Sequence, residues 1–124
     1  MESILKKREK LKEKIDELGF IDSRYSLFNE PEKKHLEWTM KIDYENNQYV
    51  VYGTADRASL TGIKRYFSDF DEASDNFLRR LQSGIEYNLI RTYQGESTNY
   101  PSSIWDNLSS EEALKKLRQL GVDI

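Results

Sequence analysis

At 124 residues the chain has room for one compact domain over 1–124 and little more. Only 37% of residues are hydrophobic and 33% are charged, yet 12% are aromatic, which predicts a thin core rich in Tyr, Phe and Trp and excludes disorder throughout. The formal net charge is −3 and there is no cysteine, so disulfide scaffolds and thiolate chemistry are excluded and a basic nucleic-acid-binding domain is disfavoured.

Residues 3–18 read as a helix, with Ile4, Leu11, Ile15 and Leu18 near one face and Lys and Glu around the rest. Gly19 is its natural stop. No apolar run in this stretch is long enough for a signal peptide, and no segment is apolar enough to span a bilayer, so the expected compartment is the cytoplasm. Arg24–Phe28 is a candidate short strand. Asn29–Lys34 is a loop in which Pro31 argues against a central strand.

The strongest pattern follows. In "LEWTMKIDY", Leu36, Trp38, Met40, Ile42 and Tyr44 alternate with Glu37, Thr39, Lys41 and Asp43, a period of two with one apolar face. The pattern resumes in "YVVYGTA". Asn46–Asn47 supply the positive φ angles of a tight turn, which sets Tyr44 opposite Tyr49, Ile42 opposite Val51, Met40 opposite Gly53, Lys41 opposite Tyr52 and Thr39 opposite Thr54. Asp56–Ser59 is a loop. Leu60–Phe67 is a third strand of the meander, and both of its alternations mix apolar with charged residues.

"SDFDEASDNFLRRL" then opens a helix on four carboxylates, Asp69, Asp71, Glu72 and Asp75. Ser68 or Asp69 is the N-cap, and Asp69 with Glu72 fits a D-x-x-E capping box. Acids in a first turn are stabilised by the helix dipole at about 0.3–1 kcal/mol each, so most of them need no catalytic explanation. Ala73, Phe77, Leu78 and Leu81 carry the helical spacing, and Gly84 can end it. Residues 84–108 are irregular, with a short helix or strand around Ile85–Tyr93, and they hold Tyr87, Tyr93, Tyr100 and Trp105 among small polar residues. The last helix starts at the N-cap Ser109, where Glu112 closes a capping box. Leu114, Leu117 and Leu120 form its stripe and Gly121 stops it. The order helix, three to four strands, helix, helix predicts an α+β fold in which a small antiparallel meander is covered by an N-terminal and C-terminal helices.

The chemistry-bearing patterns are sparse. His35 is the single histidine, with no nucleophile signature beside it. Zinc sites use Cys or several His, and the acids at 69–75 lack the glycine and spacing of a calcium loop. The six glycines form neither a P-loop nor a G-x-G-x-x-G. Lys64–Arg65 give only a small basic patch. The acidity lies late in the chain, ten acidic against six basic groups over residues 68–124. With the aromatic and small polar mixture of 84–108, it points to a protein-binding surface without catalytic residues, metal or cofactor. Two alternatives stand beside this reading: a small metal-dependent regulator using the acidic helix start, and an adaptor using Lys64, Arg65 and the first helix.

The leading helix, the "W-x-M-x-I…Y-V-V-Y" strand pair and "YFSDFDEASDNFLRRL" together resemble the small immunity proteins of bacterial polymorphic-toxin and contact-dependent growth inhibition systems. The likeness covers about residues 36–81. It implies an antitoxin, a monomer or weak dimer that binds one cognate toxin C-terminal domain, often a nuclease, and blocks it stoichiometrically. The partner-binding candidates are then Asp69, Asp71, Glu72 and Asp75 with Tyr87, Tyr93, Tyr100 and Trp105. No contact with nucleic acid or membrane is implied.

Overall fold

A computed structural model describes residues 3–28, 38–54, 60–96, 105 and 108–123. The elements run α1 (Ile4–Glu17), β1 (Tyr25–Leu27), β2 (Met40–Glu45), β3 (Gln48–Thr54), β4 (Leu60–Phe67), α2 (Phe70–Tyr93) and α3 (Ser110–Gln119). The four strands form one sheet in the order β1-β2-β3-β4. This is the expected α+β fold, with one correction to the meander: β1 runs parallel to β2, so the sheet is mixed. A parallel neighbour needs a crossover of a dozen or so residues, and residues 28–39 separate the two strands.

The hairpin forms as its turn residues dictate. Asn46 and Asn47 sit at φ 52° and 63°, the left-handed pair of a two-residue type I′ turn closed by Glu45 and Gln48. The register sets Tyr44 against Tyr49, Ile42 against Val51, Met40 against Gly53 and Lys41 against Tyr52. Thr39 and Thr54 continue the pairing, with the Thr54 N–H donating to the Thr39 carbonyl at 2.9 Å. The strand starts later than its alternation predicts, at Met40, because Trp38 adopts φ 52° and leaves the extended region. Leu36, Glu37 and His35 lie outside the described residues.

Phe67 pairs with Tyr49, Arg65 with Val51 and Thr61 with Gly53, so between Val51 and Gly53 the register shifts by two residues of β4 and odd residues stay opposite odd ones. The Arg80 guanidinium from α2 occupies this irregularity, donating to the Val51 carbonyl at 3.0 Å and to the Ile63 carbonyl at 3.3 Å.

The core lies between the sheet and the helices. Ile42, Tyr49 and Val51 meet Leu11 and Ile15 of α1, Phe77, Leu81, Ile85 and Leu89 of α2, and Ala113 and Leu117 of α3. Arg8 ties α1 to the end of β1, its guanidinium donating to the Leu27 and Phe28 carbonyls at 3.1 and 2.9 Å. Leu18 does not join the stripe; it is the exposed C-cap of α1, and Phe20 just beyond Gly19 is buried in its place.

Gly84 does not end α2. The helix continues through it to Tyr93, because Phe77, Leu81, Ile85 and Leu89 form one unbroken buried stripe at helical spacing. Burying Ile85 and Leu89 at about 1.5–3 kcal/mol each outweighs the roughly 1 kcal/mol a mid-helix glycine costs. The stop is Gly95, at φ 79°, where the Glu96 N–H reaches back to the Arg91 carbonyl at 2.8 Å. A Cβ at position 84 would meet open space. Gly84→Ala should therefore raise stability by about 0.5–1 kcal/mol, seen as a melting temperature higher by about 2–5 °C.

Both halves of the Ser109–Glu112 capping box are present. The Ser109 hydroxyl and N–H hold the Glu112 carboxyl below its usual range, so this contribution exists above the ordinary glutamate pKa and fades as pH falls through the depressed value.

Candidate partner-binding surface

The acids at the start of α2 are placed by its N-terminus. Asp69 is the N-cap, and its carboxylate accepts the Glu72 N–H at 3.1 Å; the reciprocal half of the expected box is not formed. Asp69, Asp71, Glu72 and Asp75 are all exposed. Asp71, Glu72 and Asp75 make no ion pair among the described residues. Capping explains Asp69 and the dipole favours Asp71 and Glu72, yet all four charges face water.

The sheet brings other residues to this end of the molecule. Because Tyr49 pairs with Phe67, the tip of the β2–β3 hairpin lies beside the junction of β4 and α2. The Tyr49 ring lies 5.6 Å from Phe70, 6.3 Å from Phe28 and 4.8 Å from Tyr44. The Lys7 ammonium of α1 donates to the Tyr49 hydroxyl and sits 5.1 and 5.7 Å from the Tyr49 and Phe70 ring centres. Tyr44 remains 42% exposed at the edge of this ring cluster, and Glu45 beside it is exposed. The result is an acidic rim over aromatic rings held on three elements.

Tyr87 and Tyr93 are elsewhere. Sixteen residues of helix set Tyr87 roughly 24 Å from Asp71. Tyr87 is 50% exposed and accepts a hydrogen bond from Arg91 at 3.3 Å, and Arg91 also pairs with Glu96 at 3.4 Å. The Tyr93 carbonyl accepts the Ser110 hydroxyl at 2.7 Å, joining α2 to α3. Trp105 packs edge-on against Phe20 at 5.8 Å, with the Lys116 ammonium 4.6 Å above its ring, so it closes the core. Tyr100 lies outside the described residues. The expected residues thus form two separate groups. Tyr44 and Glu45, which sequence reasoning missed, join the acidic one; their signal was the hairpin register, which puts both at the turn.

On the sheet face away from the helices the polar residues are not open to water as the alternation suggests. Lys41 and Asp43 are buried. The Tyr52 hydroxyl donates to Asp43 at 2.6 Å, and the Lys41 and Lys64 ammonium groups sit 6.0 and 4.8 Å from the Tyr52 ring centre. Burial, then the Asp43 carboxylate, push the Tyr52 phenol well above its usual pKa, so it stays protonated and is no nucleophile. No group of three or more His, Asp or Glu among the described residues is placed to hold a metal. No helix among them is long and apolar enough to cross a membrane.

No curated protein and no solved structure matches the chain. The sequence model of the family described as Immunity protein 59 matches residues 4–106. That span includes α1, the whole sheet and α2, so the chain belongs to this family of immunity proteins.

Proposed function

We propose that this protein neutralises one cognate toxin domain, a nuclease, by stoichiometric association in the cytoplasm, with no chemistry, metal or cofactor of its own. The observation that carries the reading is the acidic rim over exposed Tyr44, formed by Glu45, Asp69, Asp71 and Glu72, with Asp75 one turn further along α2. A nuclease binds phosphates with basic residues, and an anionic surface both matches such a cleft and speeds encounter. Tyr44 supplies the rigid amphipathic anchor that charge alone lacks. Tyr87, half exposed at the far end of α2, is a separate contact. The working unit is residues 1–124 as a monomer or weak dimer.

The test uses the toxin domain encoded by the adjacent upstream gene, catalytically inactivated. Asp71→Lys/Glu72→Lys leaves the Asp69 cap intact and should weaken binding about 10- to 100-fold, mainly through slower association, with a weaker dependence on salt. An affinity and salt response equal to wild type would remove the acidic rim from the interface.

A further inference from the structure

The β4 stretch Ile63–Tyr66 is used by neither the core nor the acidic rim. β4 is an edge strand. Ile63 is 69% exposed, Tyr66 is 51% exposed, and Arg65 is exposed beside them. Arg65 pairs with Val51, whose carbonyl accepts the Arg80 guanidinium, so two arginines stand together at the bulge. Burial first, and the Arg65 charge second, lower the Arg80 pKa. No carboxylate pairs with Lys64, Arg65 or Arg80 among the described residues. The fold would be better served by a neutral or acidic residue at 65, and nothing in the core calls for an isoleucine at 63. Local rules broken without a structural gain point to function.

We propose that the basic edge Ile63–Tyr66 is a second contact on the partner and receives a carboxylate-bearing segment of the same toxin domain that the acidic rim engages. This rests on the toxin-neutralising reading. Charge complementarity selects the occupant: the planar Arg65 fork suits a carboxylate, and exposed Ile63 two residues away supplies apolar area beside it. Arg65 and Asp69 are four residues apart, at most roughly 13 Å along the chain, so both halves fit within one interface of standard size. A strip that changes sign along its length also fixes the orientation of the partner, since a reversed dock would set like charges together. Phosphates would suit Lys64 and Arg65 as well, but the carboxylates at 69–72 and the net charge of −3 oppose a polyanion laid along the same strip.

The experiment measures binding of the inactivated upstream-encoded toxin domain to wild type, Arg65→Glu, Ile63→Ser and Asp71→Lys/Glu72→Lys, with the melting temperature of each. Arg65→Glu places a carboxylate beside Arg80, so its melting temperature is expected to equal or exceed that of wild type while affinity falls at least about tenfold. Ile63→Ser, which adds no charge, is expected to weaken binding several-fold. Wild-type affinity in both variants overturns the second contact and leaves toxin binding standing, whereas no binding by wild type removes both. A single-stranded RNA 20-mer run in parallel at low salt should not shift; a shift abolished by Arg65→Glu would assign the edge to phosphate and overturn the proposal.

Discussion

Phe77→Ala is expected to lower the folding free energy by about 3–5 kcal/mol, measured as a fall in the urea midpoint at unchanged slope. Phe77 is fully buried at the centre of the stripe that α2 lays on the sheet, in one cluster with Ile42, Val51, Leu81 and Leu117. Truncation there loses the transfer energy of the ring and leaves a void that strands on one side and a long helix on the other cannot close. A small domain holds only about 5–15 kcal/mol in total, so the variant should be partly unfolded at 37 °C. Phe77→Leu keeps most of the volume and should cost less than half as much. A loss below about 1 kcal/mol for Phe77→Ala would show that the core is not organised around α2.

The second large effect is the removal of α3. The family match ends at residue 106, before this helix begins, yet Ala113 and Leu117 are fully buried in the same core as Ile42 and Phe77. Leu120 and Val122 pack against that core, and Lys116 covers the Trp105 ring. Ending the chain after Asn107 should therefore abolish cooperative thermal unfolding, and Leu117→Ala alone should cost about 2–5 kcal/mol. A truncated chain with the wild-type melting temperature would mean that α3 is an appendage and that residues 1–124 are not one folding unit.

Local chemistry decided which elements were legible in the sequence. Asn46–Asn47 admit one kind of turn, so the β2–β3 register follows residue by residue. Ser109 and Glu112 mark the start of α3 through two reciprocal hydrogen bonds. Where distant packing decides, sequence reasoning fails. Gly84 reads as a stop because its intrinsic cost is visible, while the burial of Ile85 and Leu89 that overrides it depends on the sheet and α3. The direction of β1 depends on a crossover, which leaves no mark in a three-residue strand. The irregularity in β4 between Arg65 and Thr61 depends on its pairing with β3 and leaves no mark in the local sequence.

The candidate surface divides in the same way. The acids at 69–75 are visible in the sequence because they are contiguous on one helix end. Their company is not: Tyr44 and Glu45 reach them across three strands, whereas Tyr87 and Tyr93, close in sequence, are carried away by the rise of α2. Trp105 has the composition of a binding residue and the environment of a core one, edge-on to Phe20.

The central claim is that the protein acts by occupying its partner. The most direct measurement is the activity of a fixed concentration of the upstream-encoded toxin domain, well above the dissociation constant, titrated with the purified chain. A straight decline to zero at one equivalent, with activity restored when the complex is separated in denaturant and the toxin refolded, is the predicted result. Inactivation by far less than one equivalent would contradict it because it shows turnover, and a toxin that stays inactive after separation would contradict it because it shows a covalent change.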